Sequence, residues 1–267
     1  MTKETLTRLL CAALIVLING AALHGQNNQT DTSQLPKYSY LIYGHASSGN
    51  SVQATGFFVG KNERVYLVTA CHVINGWLFE SFKKTSYPDT LFVKVALKEG
   101  LRDTALAIDI SKIKYSHADP ELPDIYFLSV NIPSNCKIYR LDSLISNYRP
   151  ITRIPKAMFA FGFVINDDEL RSRQIFRSGY KKAVAFIPDW DEYACSPFIY
   201  EVGYYNNDLG PGDSGAPVYF LAGNTIGGVH SELVFGGLIF GGNRLKHRAS
   251  VIRAEVVIAL FNELGKR

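Results

Sequence analysis

Short runs of β-branched and aromatic residues, each cut off by Gly, Pro, Asn or charged turns, dominate this chain from Tyr38 onward and leave no room for a long helix between them. A first set covers 38–43, 52–59, 65–70, 90–97, 105–110 and 125–130; a second covers 137–142, 158–164, 174–187, 198–205, 216–221, 225–233 and 236–241. Runs of that length and punctuation read as antiparallel strands. Many in succession restrict the fold to barrels or sandwiches. With 47% hydrophobic residues over 267 positions, the chain can fill one large or two small cores and is not a disordered segment. Near the end, Val251, Ile252, Ala254, Val256, Val257, Leu260, Phe261 and Leu264 are spaced as one apolar helix face, with Ser250 as N-cap and Gly265 as stop. The polar face of that helix carries too few cations for a membrane-surface helix.

Residues 1–25 read as a secretory signal: Lys3 and Arg8 open it, Leu9 to Ile18 form the apolar stretch, and Ala21, Ala22 and Gly25 offer small residues for cleavage. Asn19 and Gly20 cut the stretch short of a membrane span, so no stable membrane insertion is expected after cleavage. An uncleaved N-terminal anchor is the competing reading. Cys11 lies too early in the stretch for lipidation. Residues 26–37 form a polar linker rich in Asn, Gln, Thr and Asp. A net charge of +4 with scattered basic residues argues against a nucleic-acid partner. Once the signal is removed, Cys71, Cys136 and Cys195 are an odd set, so at least one thiol is expected to be free or to pair between chains. No metal-ligand cluster or phosphate-binding loop stands out, and no cofactor is expected.

The turn Gly212-Asp213-Ser214-Gly215-Ala216-Pro217 wraps a serine in glycines between apolar runs. Such a turn can aim one hydroxyl and two backbone N–H groups at a single point, the arrangement acyl transfer needs. A serine hydroxyl requires a positioned base, usually a histidine oriented by a carboxylate. His72 ends the apolar run from Val65, and a strand end is a rigid mount for such a group. Its neighbour Cys71 would point to the opposite face of a strand. Among Asp89, Asp103, Asp109, Asp119 and Asp124, the choice falls on Asp124, at the mouth of the apolar run Ile125–Val130; Asp103 and Asp109 are expected to face solvent. Burial there, with a hydrogen bond to the imidazole, would hold the tautomer the base needs.

Thr55-Gly56-Phe57-Phe58-Val59, Leu67-Val68-Thr69-Ala70-Cys71-His72-Val73, Pro123-Asp124-Ile125 and Gly212 to Val218 together resemble the chymotrypsin/trypsin superfamily, most of all its bacterial trypsin-like peptidases. The order His, Asp, Ser is the one that superfamily uses, and the separations are each about the size of a half-barrel. The resemblance covers roughly 38 to 262. It implies an all-β fold: two antiparallel six-stranded β-barrels with the active site between them, plus a C-terminal α-helix. The barrels would span 38–142 and 158–248, joined by a linker at 143–157 that contains Pro150 and Pro155, with the helix at 249–267.

It further implies a secreted or periplasmic serine endopeptidase acting on protein or peptide substrates, with Ser214 as nucleophile, His72 as base and then acid, and Asp124 orienting it. The N–H groups of Gly212 and Ser214 would hold the oxyanion, and Ser231 would bond the aspartate from behind. Two expectations for the primary pocket oppose each other: Asp208 occupies the position of an aspartate that selects Arg or Lys, while His230 resembles a histidine that binds acidic side chains. Asp213 lacks the activation sequence that would give it an N-terminal amine as partner, leaving a signal-peptidase-generated terminus or an internal Arg or Lys. A catalytically silent binding or scaffold protein on the same fold is the alternative of another class.

Overall fold

A computed structural model of the chain describes residues 32–46, 51–75, 87–100, 102–110, 123–148, 157–164, 180–187, 199–204, 210, 212–223, 231–243 and 248–264. Strands β1 (Tyr40–His45), β2 (Ser51–Lys61), β3 (Arg64–Thr69), β4 (Thr90–Leu97), β5 (Asp103–Asp109), β6 (Tyr126–Val130) and β7 (Cys136–Lys137) form the first sheet. Its order is β5-β4-β1-β2-β3-β6, with β7 paired to β4. Strands β8 (Ala157–Val164), β9 (Tyr180–Ile187), β10 (Ile199–Tyr204), β11 (Pro217–Gly223), β12 (Ser231–Asn243) and β13 (Arg248–Arg253) close into a barrel in the order β10-β13-β12-β11-β8-β9. Three short helices complete the described chain after a 3₁₀ turn at Thr32–Tyr38: α1 (Cys71–Asn75), α2 (Asp142–Ser146) and α3 (Ala254–Glu263).

The burial patterns follow from where each strand lies. β4 alternates, with Leu91, Val93 and Val95 turned inward, as expected of an antiparallel strand with one wet face. β2 is buried along eight consecutive residues because β8 covers its outer face. There the Gln53 side-chain amide donates to Phe163 O at 3.4 Å, and the Phe163 N–H donates to Thr55 Oγ1 at 2.9 Å. Phe57 and Phe235 meet edge to face at 5.8 Å between centroids, so the two cores are continuous. Apart from Gly223 at the end of β11 and Ser231 and Glu232 at the start of β12, both sheets fall within one compact unit made of Thr32–Ala222 and Leu233–Arg267.

The all-β, two-barrel architecture with a terminal helix agrees with expectation. The first unit departs from a plain six-stranded barrel: it carries the extra strand β7, and its edge strands β5 and β6 are not joined among the described residues. The run expected as a strand at 137–142 reduces to β7 and one parallel bridge, Phe58 to Arg140. Asp142 then begins a short helix that runs into the first residues of the expected linker, and its Oδ1 accepts the Gly60 N–H at 2.6 Å.

The terminal helix begins at Ala254, with extended Arg253 as N-cap rather than Ser250. Val251 and Ile252 belong to β13, where Ile252 pairs with both Ile199 and Leu238. Ala254, Val257 and Phe261 form the buried stripe of α3. The Lys61 ammonium donates to the carbonyls of Phe261 and Asn262, both at 2.7 Å, which places a cation on the negative end of the helix and ties it to β2. Gly265 and the segment 1–31 lie outside the described residues. Among those that are described, no helix is long and apolar enough to cross a membrane.

Candidate active site

His72 stands not on the end of β3 but on α1, which starts two residues beyond Thr69. The apolar Val73 and Ile74 drive that turn into the core, at 3% and 1% exposure. Three contacts then fix it. Its Val73 N–H donates to Ala70 O at 3.1 Å, the Tyr87 hydroxyl donates to Val73 O, and the Cys71 N–H donates to Asp124 O at 3.2 Å. Cys71 and His72 are therefore helical neighbours, not opposite faces of a strand. Burial, followed by the nearby Asp124 charge, pushes the Cys71 thiol up to about 11, so it stays protonated at neutral pH and makes a poor nucleophile. Cys136 is also a thiol; Cys195 lies outside the described residues.

Asp124, just ahead of β6, grips His72 twice. Its Oδ2 lies 2.5 Å from His72 Nδ1, and its Oδ1 accepts the His72 backbone N–H at 2.9 Å. Both side chains are shielded, at 7% and 13% exposure. An imidazole donating from Nδ1 presents Nε2 as a proton acceptor on its other side. Asp89, Asp103 and Asp109 are exposed, with Asp103 paired to Lys94 at 2.9 Å. Asp119 lies outside the described residues.

The serine turn is built on two glycines with left-handed backbone, Gly212 at φ 104° and Gly215 at φ 87°. Gly215 also needs its missing side chain: a Cβ there would stand 2.0 Å from Thr55 O and 2.3 Å from Thr69 Oγ1. Buried Asp213 accepts the Gly210 N–H at 3.1 Å and lies against β8, where a Cβ on Gly162 would come within 2.1 Å of Asp213 Oδ1. Ser214 is half-buried. Among the described residues, the N–H groups of Gly212 and Ser214 have no acceptor.

Thr55 binds the serine turn to the first sheet. Its N–H donates to Ser214 O at 2.9 Å, its hydroxyl donates to Gly212 O at 2.7 Å, and its carbonyl accepts the Thr69 hydroxyl at 2.8 Å. Thr69 lies three residues before His72, so the histidine-bearing and serine-bearing segments meet at Thr55. The buried polar and charged side chains of the described chain are Ser39, Gln53, Thr55, Thr69, His72 and Asp213, and the last four belong to this one place. Burying such groups is costly without partners, so their concentration marks a site built for polar work. Thr55 and Thr69 figure in the sequence only as members of the quoted motifs, with no role of their own, and nothing in the sequence singles out Tyr87 or Gly162. Asp208 and His230 lie outside the described residues. Ser231 opens β12, and its side chain is not described.

No family model matches the chain, and no curated protein matches it. Solved structures do. Human heparin-binding protein aligns over 88% of this chain and 93% of its own, at 15% identity and a TM-score of 0.50. GrC aligns over 87% and 95%, at 12% identity and a TM-score of 0.51. A serine endoprotease from Yersinia pestis aligns over 86% of this chain and 64% of its own, at 13% identity and a TM-score of 0.46. The first two likenesses agree with the two-barrel chymotrypsin fold, and it is the fold alone that they show.

Proposed function

We propose that this protein is a secreted or periplasmic serine endopeptidase of the trypsin-like kind, and that His72, Asp124 and Ser214 form its catalytic triad. The observation that carries the reading is the double grip of Asp124 on His72, at the ring and at the backbone. A core histidine satisfied for structure alone has no need of a carboxylate that fixes both its tautomer and its mount.

In this reading Ser214 Oγ attacks the carbonyl carbon of a peptide bond while His72 Nε2 takes the hydroxyl proton. The developing oxyanion is met by the Gly212 and Ser214 N–H groups, which have no acceptor among the described residues. His72 then passes the proton to the leaving amine, and water hydrolyses the acyl-enzyme by the same steps in reverse roles. Asp124 keeps its hold on Nδ1 and stabilises the imidazolium. Water is the sole co-reactant, and the chemistry calls for no cofactor.

A catalytically silent binding protein remains the competing reading, because a fold does not assign an activity and one structural neighbour is named for binding heparin. Incubating the mature protein with a mixed peptide library separates the two. Cleavage that disappears in Ser214→Ala supports the peptidase; an intact library, or cleavage that persists in Ser214→Ala, contradicts it. The residues flanking the cut bonds report the pocket's charge preference at the same time, and N-terminal sequencing of the secreted form reports where the signal is removed.

A further inference from the structure

We infer that the Thr55 side chain is a positioning residue for the nucleophile turn, holding the Gly212 carbonyl so that the Gly212 and Ser214 N–H groups point at one place. The inference rests on the peptidase reading and adds to it a residue on the opposite sheet, 157 positions away from Gly212 in sequence.

Thr55 is fully buried, and its hydroxyl is used in both directions: it donates to Gly212 O at 2.7 Å and accepts from the Phe163 N–H at 2.9 Å. Among uncharged side chains as small as this one, only a hydroxyl donates and accepts at once with such strength. The bond to Gly212 O matters because of what Gly212 is. A glycine at φ 104° lacks the steric limits that would otherwise confine its ψ, so the direction of its carbonyl must be set from outside. With the Asp213 N–H donating to Gly210 O at 3.2 Å, the Gly212–Asp213 peptide is held at both ends. The Ser214–Gly215 peptide is held the same way, its carbonyl by the Thr55 N–H at 2.9 Å and its N–H by Ile239 O at 2.6 Å. These two planes bracket the Asp213–Ser214 peptide, whose N–H is the second oxyanion donor, so Thr55 contributes a bond to each side of it.

The two contributions can be separated. Any residue at position 55 keeps the backbone bond to Ser214; only the hydroxyl reaches Gly212. Thr55→Val retains shape and removes that hydroxyl, leaving the Gly212 carbonyl and the Phe163 N–H without it. A donor displaced from the oxyanion acts in the transition state and not in substrate binding, so the loss belongs in kcat.

The test measures kcat, KM and the pH–rate profile for the wild type, Ser214→Ala, Thr55→Val and Thr55→Ser on one peptide substrate. Thr55→Val is expected to lower kcat by about 10- to 100-fold with KM within about threefold, consistent with the cost of a misplaced catalytic group. Its pH–rate profile is expected to keep its position, because His72 and Asp124 are untouched, and Thr55→Ser is expected to return to within about threefold of the wild-type kcat. Thr55→Val turning over like the wild type, a loss confined to KM, or Thr55→Ser as impaired as Thr55→Val would each overturn the inference. If Thr55→Val does not fold, Thr55→Ala replaces it, and an alanine variant as fast as the serine variant overturns the inference equally. A wild type without Ser214-dependent turnover removes the peptidase reading and this inference together; an active wild type matched by Thr55→Val removes this inference alone.

Discussion

The Asp124 carboxylate spans the imidazole and the backbone of His72, with Oδ2 2.5 Å from Nδ1 and Oδ1 2.9 Å from the main-chain nitrogen. An amide in its place can still accept the backbone N–H, but it then turns its NH₂ toward Nδ1 and favours the tautomer in which Nε2 carries the proton. Asp124→Asn is therefore expected to lower kcat by roughly 10⁴-fold. Asp103→Asn and Asp109→Asn, both on the exposed edge of β5, are expected to stay within about twofold, as is usual for surface changes remote from a site. Steady-state turnover of the three variants checks the assignment; the reverse ranking contradicts it.

Gly215 and Gly100 separate backbone strain from collision. Both have positive φ, 87° and 81°, but a Cβ at Gly100 meets nothing within 4 Å, whereas one at Gly215 runs into Thr55 O and Thr69 Oγ1. Gly100→Ala is expected to cost about 1–2 kcal/mol, the left-handed backbone term alone. Gly215→Ala is expected to cost about 2–5 kcal/mol, since overpacking adds to it, and to abolish turnover by displacing Ser214. Urea unfolding of both variants gives the two costs; equal values would mean the turn yields freely to the added methyl.

His72, Asp124 and Ser214 stand out in the sequence as candidates because their side-chain types suit the proposed chemistry and their chain order matches it, and the structure brings His72 and Asp124 into contact. Thr55 does not, since its role exists only once β2 lies against a turn far along the chain. Tyr87 is hidden for the same reason: its bond to the His72 helix is made from outside the apolar pattern. The C-terminal misreading has a local cause. Val251 and Ile252 are both fully buried, so β13 has no alternation, and its apolar residues merge with the Ala254, Val257, Phe261 stripe into one helical-looking run. Periodicity cannot separate a doubly buried strand from a helix.

Cys71, beside His72, is expected to be inert. Its thiol is held up to about 11, first by burial and then by Asp124, so almost none is thiolate at pH 8. Iodoacetamide at pH 8 is expected to leave Cys71 unmodified in the native protein and to alkylate it after unfolding in urea, as read by peptide mass mapping. Cys71→Ser is expected to retain turnover within about threefold, because thiols of raised pKa take no part in nucleophilic attack. Rapid native labelling, or loss of activity in Cys71→Ser, contradicts this.

Stability is expected to fall at alkaline pH. Burial raises the Tyr40 phenol from 10.0 to about 12 and the Cys71 thiol from 9.0 to about 11, and it raises Tyr87 as well. Above pH 9 the unfolded chain begins to release protons that the native protein retains. Unfolding is then favoured increasingly as pH rises, so stability present below pH 9 is lost progressively up to about 12. The urea midpoint is expected to drop steadily between pH 9 and 11. Tyr40→Phe is expected to soften that drop while lowering the midpoint at pH 8, since the Tyr40 hydroxyl accepts the Tyr139 N–H at 2.6 Å. A midpoint constant from pH 8 to 11 contradicts the account.

The most direct measurement is intact-mass analysis of the mature protein after exposure to a fluorophosphonate, which phosphonylates a serine only where a base activates it. A single adduct on Ser214, absent in Ser214→Ala and strongly slowed in His72→Ala, is the predicted result. No adduct on a folded, signal-processed protein, or an adduct formed equally fast without His72, would contradict the claim that Asp124, His72 and Ser214 work as one unit.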